Sequence, residues 1–255
     1  MNNQAFEVKE TIATIYAAIE HQAKLAAELN PEVDISKFKP SQSIYINIPK
    51  TDDELECIKS LPSVADYAKI TLGFTGRYLD PLAEKVTVTD AHYEKAEDGI
   101  SIIQNKVMIM VLQGKKVNGF IANLAKLLEK EAVIPRDIGL LSFVPKTANR
   151  YKETDAIDEI KNQYMNSKPL GNIGQKVFSE ITFFNMRTLS QYDSFLYEGV
   201  DTDGNLVTMF RNMDHEIQFD MDKPYRLNFR IKKAEATPYS YGAIVNSVNY
   251  VRLTK

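Results

Sequence analysis

From residue 225 to residue 232 apolar and polar side chains alternate at every step: Tyr225, Arg226, Leu227, Asn228, Phe229, Arg230, Ile231, Lys232. Successive side chains of a strand point to opposite faces. This period of two therefore predicts a strand with one core face and one face of Arg, Asn, Arg and Lys. Runs of similar character recur at 177–188, 194–200, 206–211 and 243–253, and helical periodicity almost disappears between them. Asp203-Gly204 separates the second and third runs as a tight turn, because glycine takes positive φ without steric cost. Residues 212–223 read as an irregular excursion before the fourth run. Five such strands, interleaved with aromatics, Arg and Lys, suit a small antiparallel barrel that binds a single nucleic-acid strand.

The preceding part of the chain is patterned differently. Phe6, Ile12, Ile15, Tyr16, Ile19 and Ala23 recur at helical spacing over 4–29, and Asn30-Pro31 ends that helix. Residues 34–40 read as a connector and 43–48 as a strand. Thr51 and Glu54 form a capping box for a helix carrying Leu55, Ile58 and Leu61. The apolar run at 106–112 predicts a buried strand, 119–131 a helix with Leu124, Leu127 and Leu128 on one face, and 139–144 a strand before Pro145. Residues 147–164 are polar and helix-compatible, and Asn166 to Pro169 breaks them. The expected class is α+β: a mixed α/β N-terminal domain over 1–165, then an antiparallel five-stranded barrel over 166–255.

Composition narrows the chemistry. A net charge of −3 over 255 residues argues against a blanket polyanion binder. Acidic and basic side chains balance over 171–255, which leaves the acidic surplus on the N-terminal part. With 13 Tyr, 12 Phe and no Trp, any stacking surface must be built from Tyr or Phe. No window is apolar enough to cross a bilayer, the single Cys57 forms no intrachain disulfide, and the first residues lack a secretory pattern. These features predict a soluble, cytoplasmic protein without a membrane partner.

Several segments also share a family likeness. They are Ser167 to Lys176 with Gly171 and Gly174, a strand ending in Met186-Arg187, the run Tyr192 to Tyr197, and the turn Asp203-Gly204-Asn205-Leu206. The close runs from Lys232-Lys233 through Tyr239 and Gly242 to Tyr250-Val251-Arg252. Together they resemble the OB-fold domain of phage-encoded single-stranded DNA-binding and replication proteins, over the C-terminal third only. The resemblance implies an OB-fold barrel that binds single-stranded DNA without sequence preference, in replication or recombination, with no catalysis and no cofactor. Replication or recombination proteins would be recruited through the acidic N-terminal part. An RNA-binding regulator and a viral protein-protein adaptor are the alternatives that the same barrel allows.

Candidate contact residues follow from the pattern. Tyr192, Phe195 and Tyr197, with Phe183 and Phe184 on the preceding strand, are candidates for base stacking, although alternation allows only about half of them to face solvent. Arg187, Arg211, Arg226, Arg230, Lys232 and Lys233 are candidates for phosphate contact, with Arg252 on a neighbouring strand. Arg226, Arg230 and Lys232 share one strand face at about 7 Å per two residues, close to the spacing of successive phosphates. Tyr239 and Tyr241 sit at a hairpin tip between the last two strands.

Enzymatic readings find less support. His21, His92 and His215 are not at metal-ligand spacing from one another or from Cys57. Gly73 to Arg77 lacks the ending of a phosphate loop, and the Asp52-Asp53-Glu54 cluster is explained as the acidic first turn of a helix.

Overall fold

The computed structural model describes residues 5–29, 45–47, 58–74, 79–80, 82–237 and 240–254. The chain divides into two compact units, residues 1–152 and 153–255. In chain order the elements of the first are β1 (Phe6–Glu7), α1 (Val8–Leu29), β2 (Tyr45–Asn47), β3 (Ile58–Ser60), α2 (Val64–Thr71), α3 (Asp90–Leu112), α4 (Gly119–Leu128), β4 (Ala132–Val133) and α5 (Ile138–Leu141). α6 (Val144–Gln163) carries the chain into the second unit, which holds β5 (Lys176–Leu189), β6 (Ser194–Asp201), β7 (Leu206–Asn212), β8 (Pro224–Ala236) and β9 (Ile244–Leu253).

Helices dominate the first unit. The apolar face of α1 buries Ile12, Ile15 and Ala18 against Tyr67 of α2, Ile103 of α3, Leu124 of α4 and Leu141 of α5. Among the described residues its strands form two short antiparallel pairs, β1 with β4 and β2 with β3. At the start of α3 the Thr89 amide donates to His92 Nδ1 at 3.0 Å, and His92 Nε2 lies 3.1 Å from Glu20 Oε2 of α1. Hydrogen bonds from Lys24 and then His92 hold the Glu20 carboxyl down at about 2.

Several expectations for this region are corrected. Residues 106–112 are the end of α3 and not a buried strand, and Met108, Ile109, Val111 and Leu112 are exposed there. From Val107 to Leu112 every position is apolar, so the run carries no period and does not separate helix from strand. Residues 139–144, expected as a strand, fold as α5 and the turn into α6. Ile58 pairs in β3 opposite Asn47 and does not lie on a helix with Leu55 and Leu61. The capping box at Thr51 to Glu54, Cys57 and most of the Gly73 to Arg77 turn lie outside the described residues.

The second unit is a closed five-stranded barrel of order β5-β6-β7-β9-β8, consistent with an OB-like architecture. The five strand ranges expected from sequence match β5 to β9 within a few residues. Their pairing is mixed, however, because β7 and β9 run parallel, Leu206 beside Val245. The expectation of a wholly antiparallel barrel is overturned by closure itself. Around a ring with an odd number of strands, up and down cannot alternate without one parallel neighbour.

β5 and β8 are long enough to serve two neighbours each. β5 gives residues 176–182 to β8 and 181–189 to β6. Ile181, Phe183, Tyr197, Met209, Leu227, Phe229 and Ile231 fill the interior, and Phe219 from the excursion between β7 and β8 packs its ring 5.0 Å from that of Phe183. Gly199 makes this packing possible where it opposes Phe183, since a Cβ there would stand 2.7 Å from the Thr182 carbonyl oxygen and 2.8 Å from the Phe183 ring. In the β6–β7 turn, Asp201 Oδ1 accepts from the amides of Asp203 and Asn205 at 2.9 and 2.7 Å, and Gly204 takes φ 83°. The parallel seam is laced by buried side chains. Ser167 Oγ donates to the Ile244 carbonyl and accepts from the Leu206 amide, while Asn246 Nδ2 donates to the carbonyls of Lys168 and Leu206.

Candidate nucleic-acid interface

Alternation along β8 decides what its outer face offers. Leu227, Phe229 and Ile231 are buried, and Arg226, Arg230 and Lys232 are exposed. Pairing then adds neighbours that lie far away in sequence: Lys176 of β5 is opposite Arg230, Phe178 of β5 is opposite Asn228, and Arg252 of β9 lies on the other side of Asn228. One outer face across β5, β8 and β9 therefore gathers five cations and two exposed rings, Phe178 at 59% and Tyr250 at 76% exposure. Arg226 Nε is 3.3 Å from Glu180 Oε2, which offsets part of its charge. Lys176, Arg230, Lys232 and Arg252 have no carboxylate partner among the described residues.

The surface is concave here. A groove of about 620 Å³ is lined by Lys176, Asn228, Arg230, Tyr250 and Arg252, with Phe229, Leu253 and Thr254 completing it. While β8 advances from Asn228 to Arg230, β9 passes from Arg252 to Asn249, one residue more. Tyr250 lies in that bulge with φ 53°, a conformation that favours glycine or asparagine. Asn228 Oδ1 is shielded from solvent and accepts no hydrogen bond.

The remaining candidates are placed elsewhere. Tyr197 lies wholly inside the barrel and Arg211 is buried with its guanidinium 4.6 Å from the Phe219 ring centre, so neither can meet a strand. This corrects both as contact residues: each occupies the inward parity of its strand. Burial pushes the Arg211 guanidinium below its ordinary pKa, and its Nε is unpaired. Phe195 is half-buried, its ring 6.2 Å from that of Tyr197. Arg187 is exposed on β5, but it lies 3.3 Å from Glu198, which Lys161 also meets at 2.6 Å. Tyr192 is exposed in the turn after β5. Tyr241 is exposed and donates to Asp158 Oδ2 at 2.7 Å, a bond that raises its pKa ahead of burial and the Asp158 charge. Tyr239 lies outside the described residues.

A smaller hollow of about 170 Å³ lies on the opposite stretch of the barrel, lined in part by Phe184, Leu196, Phe210, Arg187, Lys161 and Glu198. Its ion pairs leave little net charge, whereas the groove beside β8 is strongly positive. Sequence reasoning missed Lys176, Phe178 and Tyr250 as contact residues. Parity counted back from Ile181 and Phe183 places Lys176 and Phe178 outward, so that signal existed. Tyr250 had none, because the bulge that exposes it breaks the alternation.

Among the described residues no three of His, Cys, Asp and Glu come together to hold a metal ion, and no helix is long and apolar enough to cross a membrane. No protein-family model, curated protein or solved structure matches the chain.

Proposed function

We propose that the barrel is an OB-fold module that binds single-stranded nucleic acid across the outer face of β5, β8 and β9. The observation that carries this reading is the grouping of Lys176, Arg230, Lys232 and Arg252, without carboxylate partners among the described residues, around the exposed rings of Phe178 and Tyr250. Cations that attract a phosphate backbone beside rings that accept a base are the two elements of sequence-tolerant strand binding. The strand order, with β9 inserted between β7 and β8, supports the OB assignment, since Greek-key closure of a five-stranded barrel is how such folds are built. By resemblance the ligand is single-stranded DNA, and the setting is phage replication or recombination in the host cytoplasm.

The face differs from the one OB barrels most often use, which centres on their second and third strands. Charge supports the choice here, because Arg187 on the other face already shares Glu198 with Lys161. Fluorescence anisotropy of a labelled single-stranded oligonucleotide tests the reading. Binding that weakens as salt rises is expected, with RNA and duplex of matched sequence as competitors. No binding at micromolar protein and low salt would refute it.

A further inference from the structure

The end of α3 leaves more apolar surface in water than folding explains. Met108, Ile109, Val111 and Leu112 are exposed there, Leu112 at 79%, and Phe120 is exposed at the start of α4. Five such side chains amount to several hundred Å² of apolar surface, the size at which a patch marks a site of interaction. At about 100° per residue the four on α3 spread over about 160° of its circumference, wider than the seam that one partner helix covers.

The charges around the patch are all of one sign. From Gly99 to Leu128 the sequence holds no Asp or Glu, and Lys106, Lys115, Lys116 and Lys126 are its only charged side chains. Lys115 and Lys116 are exposed in the turn just past Leu112. The backbone of that turn is satisfied from within. Gly114 takes φ 66°, and the carbonyls of Ile109, Met110 and Val111 accept from the amides of Gln113, Lys115 and Gly114 at 3.0, 2.9 and 2.9 Å. A helix end whose carbonyls are already bonded leaves bulk water at little cost.

We propose that this end of the α3 and α4 pair is a contact for an anionic lipid surface. Met108, Ile109, Val111, Leu112 and Phe120 dip below the headgroups, and Lys115 and Lys116 reach back to the phosphates. The contact draws no residue from the groove beside β8 and does not rest on the strand-binding reading. A helix lying in the interface sinks its apolar face by about 5 to 10 Å, between half and all of its own diameter. Lysine stems are apolar and their ammonium groups stay with water or phosphate, so cations beside a wide apolar arc suit a bilayer boundary. A second copy of the chain fits less well, because a two-fold contact sets the patch against itself and brings the lysines of both copies together. The sequence predicts no membrane partner for want of a span, and a surface contact needs none.

The chain has no Trp, so Leu112→Trp places a single reporter in the patch. It is titrated with vesicles of phosphatidylcholine alone and with vesicles carrying about one third phosphatidylglycerol. With the anionic vesicles at low salt the emission should shift to the blue and be quenched by lipids brominated on the acyl chain. Binding to neutral vesicles should be about tenfold weaker or less. In co-sedimentation of the full chain, Lys115→Gln with Lys116→Gln should weaken anionic binding by about 25-fold, about fivefold for each lysine. Val111→Ser with Leu112→Ser should remove most of it while the melting temperature holds, since both side chains are exposed. No binding to anionic vesicles, or equal binding to both kinds, would overturn the proposal. Arg230→Ala with Arg252→Ala takes the same charge from the barrel, and a loss there as large as that of the lysine pair would move the lipid contact to the barrel. Absence of vesicle binding, with a mass by light scattering that rises with concentration and returns to the monomer in the Val111→Ser, Leu112→Ser variant, would give the patch to a second copy instead.

Discussion

Removing Arg230 and Arg252 together should change how binding responds to salt by an amount that the ion-pair pattern fixes in advance. Of the five cations on the outer face of β5, β8 and β9, Arg226 is offset by Glu180 at 3.3 Å. Lys176, Arg230, Lys232 and Arg252 remain to displace counterions. Each cation that neutralises a phosphate of a single strand contributes about 0.7 to the slope of log affinity against log salt, so four give a slope of about −2.8. Between about 50 and 200 mM salt the wild-type affinity should fall about 50-fold, and that of the Arg230→Ala, Arg252→Ala double variant only about sevenfold. Arg226→Ala serves as the control, with a smaller change because Glu180 already answers its charge. The assay is anisotropy of a labelled oligonucleotide at four or more salt concentrations, with the melting temperature of each variant taken alongside. A double variant that keeps the wild-type slope would refute the assignment of this face. A slope that falls as far with Arg226→Ala would refute the ion-pair reasoning.

Three further outcomes follow from the geometry. Gly199→Ala forces a methyl to 2.7 Å from the Thr182 backbone oxygen, so denaturant unfolding should show a loss of about 1 to 3 kcal/mol; unchanged stability would mean that the β5–β6 pair yields. Arg211→Met should leave oligonucleotide affinity and salt slope as in the wild type, because that guanidinium is buried over Phe219, and a lowered slope would place it back on the surface. Glu20 is held near 2 in the folded chain against an ordinary 4.5, so the unfolded state binds the proton first. Its contribution is present above about pH 4.5 and is lost as pH falls toward 2, so Glu20→Gln should flatten the decline of melting temperature in that window; an unaltered decline would show that the bonds to Lys24 and His92 do not outlast the loss of neighbouring charges.

The barrel was legible in the chain for a physical reason. Along β7 and β8 one face lies in the interior and the other in water, so burial writes a period of two, and Asp203-Gly204 marks a reversal that glycine makes easy. What the period does not state is which parity faces inward. Tyr192, Phe195 and Tyr197 were comparable as letters, yet the first is exposed, the second half-buried and the third enclosed. Register is also a property of pairs: Lys176 meets Arg230, and Asn228 meets Arg252, only through hydrogen bonds between distant segments. The bulge at Tyr250 breaks the pattern outright. In the helical unit the errors had another origin, since the end of α3 is apolar on every side while exposed, and such a run has no period to read.

The insertion of β9 between β7 and β8 bears on how the barrel assembles. β5, β6 and β7 can form by local hairpins, but β8 must return to β5, and β9, made after it, must enter the gap that β8 leaves beside β7. Pairings between such distant segments are slow to form, and until the last is made two open edges remain available to other chains. The groove draws its side chains from β5, β8 and β9, so it does not exist before that final strand is seated. Any ligand of the groove is therefore also a brace for the ring, favouring the closed form by mass action and lowering the fraction of molecules whose edges stand open.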